Sequence, residues 1–353
     1  MSRCRRDIGT PPPSLLTDQS VKRLDRRMAL RTRLTDLLGI QHPVLLAGMG
    51  GVSYHRLVAA VSEAGGFGCL GASVMSSEQM VDEIRLVKAA TARPFGVDLL
   101  TAMPGDLPRQ VQLLIDEGAS VFVAGLGVPA DVVDLCHRRG VLVVNMCGKV
   151  AHAVAAVDAG CDIVVAQGTE AGGHTGQIAT MPLVPLIVDA VGDRVPVVAA
   201  GGIFDGRGLA AALSLGADGV WLGTRFIATP EARSVPGYKD ALMRSLEDGT
   251  VISRAYSGKT MRVLRNRYTA DWDTRPEEVA PFPLQAVRSI QAGAMHLGGD
   301  EATTDVDPEI ECYPAGQGVG GIAGIAPAGE LVRRIVAEAE QVLRTVGSAA
   351  VSA

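Results

Sequence analysis

Along most of its length the chain alternates between two kinds of segment. Short runs rich in branched apolar residues, each bounded by glycine, proline or polar residues, begin with VLLA from Val44, FGCLG from Phe67, FGVDLL from Phe95 and SVFVA from Ser120. VLVVN from Val141, DIVVA from Asp162, PVVAA from Pro196 and DGVWLG from Asp218 extend the series to eight, each about 30 residues, or one strand–helix unit, after the last. Their near-continuous apolarity predicts strands covered on both faces, the setting of a parallel sheet. Between them lie helix-like stretches that close on glycine just before the next strand, as in SEAGG, DEGAS, HRRGV, DAGCD and SLGAD. Glycine there supplies the left-handed residue that commonly follows a helix.

Eight such units can form an open doubly wound sheet or a closed barrel. The even spacing shows no reversal of strand order, so the fold class expected is α/β, a (β/α)8 TIM barrel over residues 28–228. From Thr229 to residue 315 the rhythm breaks, with Trp272, several prolines and the acidic run GGDEATTDVDPEIE. This segment is expected to be a smaller, mainly helical insertion after strand eight, on the substrate side of the barrel mouth. AGELVRRIVAEAEQVLRTV then carries apolar residues at helical spacing, so residues 316–353 are expected to return to the barrel as its last helix.

Composition narrows the class of partner. The 353 residues are 47% apolar and 20% charged, which suits one large globular domain with or without an appendage. A formal net charge of -5 lacks the basic excess that a phosphate backbone selects, so nucleic acid is not an expected partner. No apolar run reaches the roughly 18 residues of a membrane span, and the N-terminus has no apolar signal core. Six cysteines, at positions 4, 69, 136, 147, 161 and 312, form no C-x-x-C pair and no Cys/His cluster, so neither a metal site nor a disulfide framework is expected and a cytoplasmic setting is. Residues 1–27, with MSRCRRDIGTPPPS and KRLDRR, read as a disordered basic tail, which makes Met28 an alternative translation start.

Glycine-rich loops follow three consecutive strands at their C-terminal ends, the face where such barrels carry their sites. They are GTEAGGHTG at 168–176, AGGIFDGRG at 200–208 and GTR at 223–225. Glycine lets backbone N–H groups approach an anion, and phosphates commonly sit on the loops after strands seven and eight.

GTEAGGHTG, AAGGIFDGRGLAAALSLGADGVWLGTRF and the early PVLLAGMGGVS resemble the nitronate monooxygenase (2-nitropropane dioxygenase) family of FMN-dependent barrels. The likeness runs from about Leu34 to Asn266, and more loosely to GQGVGGIAG near the end. The motifs are shared by a superfamily that includes flavin-dependent enoyl-acyl-carrier-protein reductases and quinone reductases. The resemblance implies that Ala200, Gly201 and Gly202 with Gly223 and Thr224 hold the FMN phosphate. It implies also that Gly48 and Met49 lie against the isoalloxazine and that Gly172 approaches the cofactor from strand six. One position departs: many relatives carry Gln-Gly-Gly-Met after the first strand, where this chain has Leu46, Ala47, Gly48 and Met49 followed by Gly50 and Gly51.

Proton abstraction beside an electron-withdrawing group needs a base that titrates near working pH, and imidazole is the side chain that starts there. Of six histidines, His42 precedes strand one and His137 follows a helix; His55, His152 and His296 sit in helices or the insertion, so all five read as packing or surface residues. His174 alone stands in a glycine loop on the catalytic rim, and it coincides with the family's general base. Glu170, four residues earlier, either orients the ring or serves the loop itself. Cys147, Lys149, Asp98 and Gln167 fall at or near strand ends, where they can line the pocket.

The function expected from this resemblance is an FMN-dependent monooxygenase oxidising alkyl nitronates, or nitroalkanes after deprotonation by His174, with O2. The alternative is NAD(P)H-dependent reduction of enoyl thioesters or quinones through the same flavin, and a second alternative is a flavin-binding barrel without catalysis. The substrate is a small molecule in the first two, and the sequence sets no oligomeric state.

Overall fold

A computed structural model of the chain describes residues 30–101, 105–125, 127 and 129–351, so the basic tail and Met28 lie outside the described residues. The strands are β1 (Val44–Leu46), β2 (Gly68–Gly71), β3 (Phe95–Leu100), β4 (Val121–Gly125), β5 (Leu142–Cys147), β6 (Ile163–Gln167), the two-residue β7 (Gly173–His174), β8 (Val197–Ala200) and β9 (Gly219–Leu222). Eight of them form one parallel sheet in the order β1-β9-β8-β6-β5-β4-β3-β2. A parallel bridge from Leu45 to Phe67 joins its two ends. The eight apolar runs are therefore the eight staves of a TIM barrel.

Alternation along each stave separates two layers, as the pleat requires. Leu45, Cys69, Val123, Val144, Val165, Val198 and Trp221 meet inside the barrel. Their strand neighbours, such as Val44, Val97, Leu99, Val143, Val164 and Val197, pack outward under the helices. Leu34 and Leu38, on the short helix Arg33–Leu38, join the inner cluster. Thr32 starts that helix with a capping box, satisfying N–H groups that a helix start leaves open.

The insertion carries the expected helices, Tyr238–Arg244, Arg267–Asp273 and Leu284–Gln291. It also holds a β-hairpin that the apolar pattern does not announce, β10 (Thr250–Ser253) against β11 (Met261–Leu264). β11 pairs antiparallel with β7, setting Met261 opposite His174 and Arg262 opposite Gly173. The final helix, Ala328–Val351, buries Leu331, Val332, Ile335, Val336 and Ala339. It packs on the helix Gly206–Ser214, where Gly206 meets the backbone of Ile335 and Ala339.

Candidate active site

The loops after β8 and β9 stand side by side at the C-terminal end of the barrel, because β8 and β9 are neighbours in the sheet. Gly201 and Gly202 turn the first loop with φ of +109° and +74°, backbone that side chains rarely tolerate. The N–H groups of Gly201, Gly202, Gly223 and Thr224 donate to no backbone carbonyl among the described residues. Four backbone donors without a backbone acceptor on adjacent loops suit an anionic group such as a flavin phosphate. Ala200 is the last residue of β8; its side chain faces the barrel interior and its carbonyl accepts from Gly168 N at 2.9 Å.

The segment around Ala315–Gly318 lies across these loops. Gly316 N donates to Thr224 Oγ1 at 2.8 Å and Gln317 N donates to the Glu170 carbonyl at 2.8 Å. This placement explains Gly172: a side chain there would meet Ala315 C and Gly316 N at 2.7 Å. Glycine is required at 172 by the crossing backbone, a reason different from the approach to the cofactor that the resemblance implies.

After β1, Gly48 and Met49 enter the same mouth. Met49 N donates to Ser53 Oγ at 2.8 Å, and a side chain on Gly223 would touch Met49 Sδ at 3.3 Å, so the β1 and β9 loops are in contact. Gly48 has no side chain because the Asp98 side chain occupies that space. Asp98 lies on β3 between the outward-facing Val97 and Leu99 and therefore points into the barrel, next to Cys69. Desolvation raises its pKa from 3.8 to about 8, so it is a neutral carboxylic acid at pH 7.

His174 is held from both sides. Its carbonyl accepts from Gln167 Nε2 at 3.0 Å, and Arg262 on β11 donates through Nε to the Thr169 carbonyl at 2.9 Å. The ring Nε2 lies 2.9 Å from Ser257 Oγ, in the turn between β10 and β11, and the Phe282 ring stands edge-on at 6.1 Å. Burial, reinforced by the Lys259 charge, lowers the pKa of His174 to about 4. The imidazole is thus neutral at pH 7 and able to accept a proton.

Glu170 does not touch His174. Its Oε2 accepts from both Thr180 N and Thr180 Oγ1 at 2.8 Å, capping the helix Thr180–Val191, whose own N-cap residue Ala179 has no side-chain acceptor. The acid four residues before the histidine therefore belongs to the loop. His55 pairs with Glu83, His137 with Asp162 and His296 with Glu311, at 2.8, 3.0 and 2.6 Å, so each of these three rings has a carboxylate partner. Cys147 packs in the outer layer, its thiol pushed up to about 12 by burial. Ser257, Lys259 and Phe282 were not singled out from the sequence. The signal was present in TVIS and MRVL, two short strand-like runs flanking SGK, but the proline-rich context hid it.

Comparison with known proteins matches residues 31–338 to the nitronate monooxygenase family. The chain belongs to that family. Within the nitronate monooxygenase family it is 34% identical to a probable nitronate monooxygenase of Staphylococcus saprophyticus, over 73% of this chain and 85% of that one. It is 43% identical over 239 residues, 67% of each chain, to a 5-hydroxy-7a-methyl-1-oxo-octahydro-1H-indene-4-carboxyl-CoA dehydrogenase of Mycobacterium tuberculosis. Among solved structures, FabK from Thermotoga maritima superposes with a TM-score of 0.81 at 34% identity, over 90% of this chain and 99% of that one. A nitroalkane oxidase from Streptomyces ansochromogenes gives 0.76 at 32%, over 89% and 99%. This nitronate monooxygenase family member is a flavin-dependent oxidoreductase on a TIM barrel. No helix among the described residues is long and apolar enough to cross a membrane.

Proposed function

We propose that the chain holds FMN and oxidises alkyl nitronates with O2. In this reading Ala200, Gly201, Gly202, Gly223 and Thr224 surround the phosphate, Gly48 and Met49 back the ring system and Gly172 stays close by. When bound, the flavin supplies the redox chemistry, and the protein's part is positioning, water exclusion and proton handling. The observation that carries the reading is a buried, neutral imidazole on the same barrel rim as four backbone donors that have no backbone acceptor.

The weakness of that base selects between substrate forms. Relative to its ordinary value of 6.5, a His174 pKa of about 4 removes about 3 kcal/mol of driving force for taking a proton. A neutral nitroalkane must give up a proton to His174 before oxidation, whereas a nitronate has already lost it. The preferred substrate is therefore the nitronate, and a nitroalkane is a slower one.

A dehydrogenase or NAD(P)H-dependent reductase acting on a thioester is the second reading. It is favoured by the 43% identity to the CoA-thioester dehydrogenase, against 34% to the Staphylococcus protein, and by Leu46 where many relatives carry the glutamine of Gln-Gly-Gly-Met. Anaerobic mixing separates the two. Bleaching of the flavin by an alkyl nitronate and not by NADH or NADPH supports nitronate oxidation, and the reverse pattern overturns it.

A further inference from the structure

We propose that Ser257 is a positioning residue that fixes the tautomer of His174, leaving Nδ1 as the ring nitrogen that accepts a proton. The role of His174 as a base rests on the function proposed above; the tautomer does not.

The argument is a count of protons. Ser257 Oγ has three neighbours: the Lys259 carbonyl at 3.1 Å, Lys259 N at 3.3 Å and His174 Nε2 at 2.9 Å. A carbonyl can only accept and an amide can only donate, while a hydroxyl owns one proton and two lone pairs. All three contacts are satisfied together in one way. The hydroxyl proton goes to the Lys259 carbonyl, and the lone pairs receive Lys259 N–H and an N–H on His174 Nε2. The alternative, a hydroxyl pointed at Nε2, would withdraw this hydrogen bond from the Lys259 carbonyl.

Geometry fixes the hydroxyl in turn. Ser257 is 4% exposed, and the next residue, Gly258, holds φ of +79° with its Cα against Ala280 and Phe282 backbone. Gly258 N closes the turn on the Arg254 carbonyl at 2.8 Å. Burial, reinforced by the Lys259 charge, opposes a second proton on the ring, so the neutral imidazole carries one N–H, on one of its two nitrogens. Nδ1 makes no hydrogen bond to any described residue, whereas Nε2 has Ser257. The hairpin of the insertion thereby sets which nitrogen keeps its lone pair.

The test labels the histidines of the flavin-loaded protein with 15N and records long-range 1H–15N correlations, using His174→Asn to assign the ring. Nε2 is identified by coupling to both carbon-bound ring protons. Wild-type protein is expected to show a protonated Nε2 and a bare Nδ1, Ser257→Ala a measurable population protonated at Nδ1, and Ser257→Thr the wild-type pattern. Protonated Nδ1 in the wild type, or an unchanged pattern in Ser257→Ala, would overturn the proposal. With a neutral nitroalkane, Ser257→Ala should lose about tenfold in kcat/KM while a preformed nitronate is spared; equal losses on both also count against it. Failure of the wild type to turn over any nitro compound would sink the functional reading alone, since the correlations still report the tautomer.

Discussion

Replacing Asp98 by asparagine should make the protein more stable at neutral pH, because the native fold works against ionisation of this carboxyl. Unfolded, the group titrates near 3.8; folded, at about 8. A folded pKa raised above the unfolded one means that stability is greatest below the unfolded value and is lost as pH rises towards the folded one. At pH 7 the native state holds a proton that the unfolded chain releases. The cost is about 1.36 kcal/mol for each of the roughly 3.2 units between 3.8 and 7, or about 4 kcal/mol. Asparagine has nearly the same shape and no proton to lose, so it removes that cost. With an unfolding entropy of about 2.1 cal/mol/K per residue, a chain of 353 residues should gain about 6 °C in Tm. At pH 5 only about 1.2 units remain, so the gain should shrink to about 2 °C. Thermal melts of both proteins at several pH values between 5 and 8, followed by circular dichroism, measure the difference. A gain that does not change with pH, or a loss of stability at pH 7, would refute a neutral Asp98.

The remaining predictions concern the rim. The rate of the wild type with a neutral nitroalkane should be flat around pH 6 to 7.5 and fall only as pH drops towards about 4, where His174 takes a proton; a break near 6.5 would show an imidazole less desolvated than the fold implies. His174→Ala should keep its flavin yet lose roughly 10² to 10⁴ in turnover of that substrate, with the nitronate spared, as steady-state rates on the two forms would reveal. Glu170→Ala strips the helix Thr180–Val191 of its cap and should cost about 1 kcal/mol in unfolding experiments; unchanged stability with lost turnover would return Glu170 to the chemistry. Gly201→Leu should purify without flavin, read from the visible spectrum, because φ of +109° and a Thr180 Oγ1 only 2.7 Å from the new Cβ distort the loop. Released cofactor from the wild type should be FMN, and recovery of FAD would refute the phosphate placement.

The barrel was legible because each stave is buried on both faces, so its sequence is apolar throughout and bounded by turn residues. The hairpin of the insertion was not. Val251 and Ile252 are partly exposed, and Arg262 is buried among apolar neighbours because it donates to Thr169 and Thr250 across chain segments. Such strands depend on pairing with each other and, for β11, with β7, which no local pattern encodes. His174 stood out through its unusual place in a glycine loop, while its partner Ser257, 83 residues away, did not. Asp98 was visible only as a polar residue near a strand end. Its inward direction follows from the pleat, but its neutrality follows from the burial that the folded barrel imposes.

The antiparallel pairing of β7 with β11 joins the loop after β6 to the segment that follows the last stave. Residues 229–315 supply the strand that pairs with the backbone of His174, together with Ser257 and Lys259 beside its ring. An exchange of this segment between relatives would transplant the surroundings of the histidine along with the wall. Laboratory evolution that reshapes this segment for a new substrate will therefore retune the acid–base chemistry whether or not position 174 is touched.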